Sequence, residues 1–102
     1  MDRLAMLQQM IEQKPDEPFV RYGLAMELRK VGRNEEAVAA FAHLVEHHGD
    51  YVATYLMYGN LLATLGRREQ ARETYDQGMA VARRAGNDHA EGELAAARAE
   101  LD

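Results

Sequence analysis

The sequence has 102 residues, of which 47% are hydrophobic and 28% are charged, a composition that suits one compact domain with a modest core. It contains neither cysteine nor serine, which excludes disulfides, thiolate metal ligands and the two commonest covalent nucleophiles. The net charge of -5 argues against nucleic acid as a partner, because that affinity depends on clustered lysine and arginine.

No segment indicates export or insertion into a membrane. The N-terminus lacks the basic, apolar and small-residue pattern of a signal peptide. The longest uncharged stretch, residues 51–66, is shorter than the roughly 20 apolar residues of a membrane-spanning helix. We therefore expect a cytoplasmic protein that does not enter membranes.

The predicted elements are all helices, because apolar residues recur at helical spacing and no strand pattern competes. The breakers between them are Pro15, Gly32, Gly49, Gly66 and Gly86. In chain order, the predicted helices cover about residues 2–14, 16–31, 34–48, 51–65 and 68–85, and a sixth begins near residue 88.

Residue types that favour helix starts precede three of these helices. Asp16 and Asn34 are the candidate N-caps of the second and third helices. Asp88 and Glu91 have the spacing of a capping box at the start of the sixth. These residues predict where each helix begins.

Residues of the same class recur at a spacing of 34. The pairs are Ala25 and Gly59, Leu28 and Leu62, Gly32 and Gly66, Arg33 and Arg67, Ala37 and Ala71, and Phe41 and Tyr75. Small residues allow two helices to approach, large ones fill the space between them, and glycine permits a left-handed turn. The spacing therefore predicts a repeated pair of helices.

This pattern resembles that of the tetratricopeptide repeat family. The residues that carry the resemblance are Leu24, Ala25, Leu28, Ala37 and Phe41 in the first repeat, and Tyr55, Tyr58, Gly59, Leu62, Ala71 and Tyr75 in the second. Arg21 departs from it, because the family usually has a bulky packing residue there. The resemblance implies an all-α solenoid of antiparallel helix pairs with about six helices in one domain. Its parts would be a half repeat (1–15), two full repeats (18–51 and 52–85) and a capping helix (86–102).

The resemblance also implies a non-catalytic module that binds another protein or peptide segment and needs no cofactor. In the family, the first helix of each repeat lines a concave groove. The positions that match this inner face are Phe19, Tyr22, Met26 and Arg29, followed by Ala53, Leu56, Asn60 and Ala63. Because most of these side chains are apolar, we expect an apolar segment rather than an acidic C-terminal tail as the partner.

The fourth helix carries no charged residue between Asp50 and Arg67, although one face of a helix in so small a protein should meet water. A partner segment could cover it, or packing within the chain could bury it. Self-association is the alternative function, with the fourth helix, or Met6 and Met10 of the first, facing a second copy as a homodimer.

The remaining alternative is a metal-dependent hydrolase. His43, Glu46 and His47 fit the H-x-x-E-H pattern of one class of zinc proteases, with both imidazoles on one helical face. Catalytic zinc would need a third protein ligand and a substrate cleft, so we favour a solvated outer face and predict no metal site. His48 and His89 are interpreted as turn and cap residues.

Overall fold

The computed structural model describes residues 2–101, which form six α-helices, and the all-α prediction is confirmed. The helices are α1 (Arg3–Gln13), α2 (Pro18–Lys30), α3 (Asn34–His47), α4 (Ala53–Thr64), α5 (Arg68–Arg84) and α6 (Asp88–Ala99). They group into two compact units, unit 1 with α1 to α3 and unit 2 with α4 to α6, divided between His48 and Gly49. None of the six is both long and apolar enough to cross a membrane.

Glycine ends three of the helices in the same way. Gly32, Gly66 and Gly86 have positive φ angles of 84°, 80° and 70°, in the left-handed region that other residues rarely adopt. After each, an N–H group reaches back five residues, as from Arg33 to the Leu28 carbonyl at 2.9 Å. These bonds are those of a Schellman motif, which satisfies the last carbonyls of a helix.

The N-caps of α2 and α3 are not the residues predicted from residue type. Asp16 is not the N-cap of α2, since Glu17 holds that position without a side-chain bond. Asn34 is already helical, and Arg33 precedes it as the N-cap of α3. Capping depends on an extended backbone at one position, and a favourable residue one place away does not supply it.

The sixth helix begins with a real cap that lies one residue earlier than predicted. The Asn87 side chain accepts a hydrogen bond from the Ala90 N–H at 3.0 Å, so the predicted Asp88–Glu91 capping box is wrong. Glu91 instead accepts two hydrogen bonds from the guanidinium of Arg83 on α5. The first turn of α6 is thereby tied to α5.

The core of unit 1 lies between α2 and α3, which pack against each other. Ala25 on α2 and Ala37 on α3 are fully buried. Their small side chains allow the two helices to approach each other closely. Phe41 and Leu44 fill the space beside them and are also fully buried. The third helix of the unit, α1, packs against α2 and adds Leu7 as its one buried residue.

The core of unit 2 has an even closer approach, at Gly59 on α4. A Cβ atom there would overlap the ring of Tyr75 on α5, which is buried and donates a hydrogen bond to Asn60 Oδ1 at 2.6 Å. Gly78 likewise gives space to Tyr55 and Leu94. Because α6 packs against both α4 and α5, unit 2 is covered by its third helix.

Candidate functional site

An open apolar groove of about 360 Å³ lies between α1 and α2 of unit 1. Its residues recur at helical spacing along one face of each helix. The lining residues are Arg3, Met6, Leu7 and Met10 from α1, and Phe19, Val20, Tyr22, Gly23 and Met26 from α2. Such a volume can take several apolar side chains of a partner.

The groove has a buried floor and exposed walls. Leu7 and Val20 are buried, whereas Phe19 is 69% exposed, Met6 43% and Met10 41%. Large apolar side chains left in water favour association, because covering them gains hydrophobic free energy. Methionine side chains also adapt to irregular partner surfaces.

Two contacts hold the groove in shape. The Tyr22 ring meets the buried ring of Phe41 edge to face, with centroids 6.4 Å apart. Arg3 on α1 forms an ion pair with Glu27 on α2, with Nε and Oε2 3.4 Å apart. Arg3 is the one charged residue in the lining, and its positive charge is offset by this carboxylate.

Three of the four predicted site residues of unit 1 line this groove. Phe19, Tyr22 and Met26 of α2 all line the groove, whereas Arg29, which is half-buried, lies outside its lining. No sequence pattern links Met6 and Met10 to these residues, because their association depends on how α1 packs against α2. From the sequence, Met6 and Met10 are expected only as a surface that could face a second copy.

The predicted site residues of α4 belong to unit 2. Ala53 is exposed, and Leu56, Asn60 and Ala63 are half-buried. The Asn60 side-chain oxygen, which we expected to meet a peptide backbone, accepts the hydrogen bond from Tyr75. Partner binding by these four residues stays a prediction.

The lack of charged residues on α4 is explained by the burial of the helix within the chain. Five of its residues are buried: Thr54, Tyr55, Gly59, Leu61 and Leu62. Only Ala53 and Thr64 within the helix are exposed. A helix with so little surface in water needs few charged side chains.

The two histidines of the H-x-x-E-H stretch do share one face of α3, as predicted. Their ring centroids are 4.3 Å apart, and His47 Nε2 lies 4.0 Å from a Glu46 carboxylate oxygen. Partial burial and the positive charge of Arg21 lower the pKa of His43 below its ordinary value. Within residues 2–101, no group of three or more histidine, cysteine or acidic side chains could hold a metal ion together.

Two of the threonine hydroxyls donate hydrogen bonds to backbone carbonyls of their own helices. Thr64 donates to the Asn60 carbonyl at 3.0 Å, and Thr74 donates to the Gln70 carbonyl at 2.8 Å. The Thr54 hydroxyl is buried and has no hydrogen-bond partner among the described residues. Neither Thr64 nor Thr74 is paired with a side chain that could act as a base, so no activated nucleophile is formed by them.

These helix pairs, with small residues at their contacts and glycine at their ends, define an α-helical repeat protein. The tetratricopeptide repeat sequence profile matches residues 52–84. A tetratricopeptide repeat domain protein from Salinibacter ruber is 40% identical in its solution structure, with a TM-score of 0.83 over 87% of this chain and 90% of that one. We conclude that the chain belongs to the tetratricopeptide repeat family.

Two further solved structures share the fold. A crystal structure of a tetratricopeptide repeat domain protein from Salinibacter ruber is 41% identical, with a TM-score of 0.79 over 83% of this chain and 96% of that one. A protein from Bordetella parapertussis has a TM-score of 0.84 over 99% of this chain and 88% of that one, at 21% identity. Among curated proteins, none matches the chain significantly. Domains of this family generally act as protein–protein interaction modules without catalytic activity, so the fold indicates binding of another protein.

Proposed function

We propose that the chain is a non-catalytic adaptor that binds an amphipathic helix of another protein in the groove between α1 and α2. The observation that carries this proposal is the exposure of Met6, Met10 and Phe19 around one apolar groove. An amphipathic helix binds such a groove by inserting apolar side chains from successive turns.

Unit 2 supplies the argument for a helix as the occupant. There, α6 packs against both α4 and α5 and buries Leu94. In unit 1, α3 packs against α2, and among the described residues no Cα atom of α3 lies within 8 Å of one in α1. Within unit 1, no third helix lies across the α1–α2 pair, and a partner helix would complete it.

The charge of the chain favours a different protein over a second copy. With a net charge of -5, two copies repel each other over long range. A partner helix with lysine or arginine beside its apolar residues would be attracted instead. We therefore propose a helix with apolar anchors and basic flanks.

The test uses a synthetic helical peptide with leucine and phenylalanine at i, i+3, i+4 and i+7 and lysine on its flanks. We expect it to shift the NMR signals of the Met6, Met10 and Phe19 side chains. The double variant Met10→Gln, Phe19→Gln should bind about tenfold more weakly or worse, because both anchoring surfaces become polar. The matched control is Val31→Gln, since Val31 is 52% exposed and lies outside the groove lining.

Two results would contradict the proposal. One is peptide binding that maps away from α1 and α2, or that Val31→Gln weakens as much as the double variant does. The other is a molecular mass that doubles across a hundredfold concentration range and returns to the monomer value in the double variant. That outcome would assign the groove to a second copy of the chain.

A further inference from the structure

Outside the groove, α3 carries two histidines one helical turn apart. His43 and His47 have ring centroids 4.3 Å apart, with their ring planes inclined by 35°. His43 is half-buried, and the His47 side chain is 53% exposed. The His47 ring is therefore open to water, whereas neighbouring residues restrict the His43 ring.

The spacing of the two rings suits a shared metal ion. An ion held at about 2.1 Å from one nitrogen of each imidazole, with a right angle between the bonds, puts the ring centroids about 4.5 Å apart. The observed separation of 4.3 Å is close to this value. The helix thus holds both rings on one face within reach of a single ion, which reduces the entropy lost on binding.

Although no metal site is predicted here from the sequence, we infer that His43 and His47 bind a divalent transition-metal ion, with water in the remaining coordination positions. Imidazole ligands suit copper, nickel and zinc, and the general order of affinity puts Cu²⁺ above Ni²⁺ and Zn²⁺. Two protein ligands are all that the site offers, because no third histidine or acidic side chain within residues 2–101 is placed to join them.

Binding at this site stabilises the end of α3. His47 is the last residue of the helix, and His48 is its C-cap. The ion can bind both imidazoles only while residues 43–47 are helical, so fraying of the last turn competes with binding. The site thereby links metal concentration to the stability of unit 1.

The test is a titration of the untagged full chain with CuCl₂ and with NiCl₂ at neutral pH, in which isothermal titration calorimetry measures the binding. Thermal unfolding with and without the ion gives the melting temperature. We expect one ion per chain and a higher melting temperature in the presence of the ion. His47→Ala should weaken binding by at least about tenfold, because a single imidazole lacks the chelate advantage. His47 is exposed, so this substitution leaves the core intact.

The matched controls are His48→Ala and His89→Ala, which remove the other two histidines and should keep the affinity of the parent. Electron paramagnetic resonance of the Cu²⁺ complex should show coupling to two imidazole nitrogens in the parent and to fewer in His47→Ala. The inference is overturned if His47→Ala binds as tightly as the parent, or if His89→Ala abolishes the binding.

Discussion

Units 1 and 2 are each built from three helices, yet they differ in what their third helix covers. In unit 2, α6 packs against both other helices. In unit 1, α1 packs against α2, and among the described residues no Cα atoms of α1 and α3 lie within 8 Å of each other. Among residues 2–101, the four exposed large hydrophobic residues all belong to unit 1: Met6, Met10, Phe19 and Val31. A third helix that bridges both others closes the apolar surface, and one that meets a single neighbour leaves a groove.

Equivalent positions also serve different purposes in the two units. In unit 2, Tyr75 donates a hydrogen bond to Asn60 and so satisfies its buried hydroxyl. Thirty-four residues earlier, unit 1 has Phe41 and Met26, which have no such polar groups. Met26 lines the groove instead. The hydrogen bond between Tyr75 and Asn60 thus joins α5 to α4 in unit 2, whereas Met26, at the position that corresponds to Asn60, contributes to the groove in unit 1.

The largest effect that separates the units should come from Leu94→Ala. Leu94 is 1% exposed on α6, and truncating a buried leucine costs about 3 kcal/mol of unfolding free energy through lost burial and a cavity. A truncation on the third helix of unit 1, Met10→Ala on α1, should cost less than about 1 kcal/mol, because Met10 is already 41% exposed. Urea denaturation measures both, and similar losses would contradict the contrast between a covered and an open unit.

A smaller loss is expected from Gly59→Ala. The added Cβ would overlap the Tyr75 ring, which is buried and fixed by its bond to Asn60, so the ring cannot move aside cheaply. Overpacking of this kind costs about 2 kcal/mol. Urea denaturation measures this loss of unfolding free energy as well.

The control for Gly59→Ala is Gly92→Ala in the same unit. A Cβ at Gly92 meets nothing within 4 Å, and the residue lies inside α6. The control should therefore gain about 0.5 to 1 kcal/mol from helix propensity. If both substitutions stabilise the chain, the Gly59 contact is looser than the structure indicates.

The fold was predictable because the spacing of 34 fixes which residues meet. Ala25, Ala37 and Phe41 and their counterparts Gly59, Ala71 and Tyr75 are all buried, as their residue classes imply. Helix ends at glycine were equally readable, since a positive φ angle is a local requirement. The helix starts at Asn34 and Asp88 were also predicted correctly, but the caps assigned to Asp16, Asn34 and Asp88 were wrong, because capping depends on backbone geometry at a single residue.

The candidate site was only partly predictable, for a physical reason. Phe19, Tyr22 and Met26 follow from the family pattern, and they do share one face of α2. Their association with Met6 and Met10 depends on the packing of α1 against α2, which no local pattern specifies. The His43 and His47 pair was predictable, because residues four apart always share a helical face.

The smallest effect concerns the ion pairs between neighbouring helices. Arg83 donates from Nη2 and Nε to one carboxylate oxygen of Glu91, at 2.5 and 2.9 Å, whereas the pair in unit 1, Arg3 with Glu27, is longer at 3.4 Å. Glu91→Gln should lower the unfolding free energy by about 0.5 kcal/mol at low salt and by less near 1 M salt, because the Arg83 side chain is largely in water.

Paired denaturation curves at the two salt concentrations measure this difference, and Glu93→Gln is the matched control. Glu93 lies on the same helix, and its partner, His89, is also on α6, so that carboxylate does not join two helices. Glu91→Gln should therefore cost more than Glu93→Gln. If its cost is instead unchanged by salt, Glu91 acts through packing against α5, and the closure of unit 2 owes nothing to this charge pair.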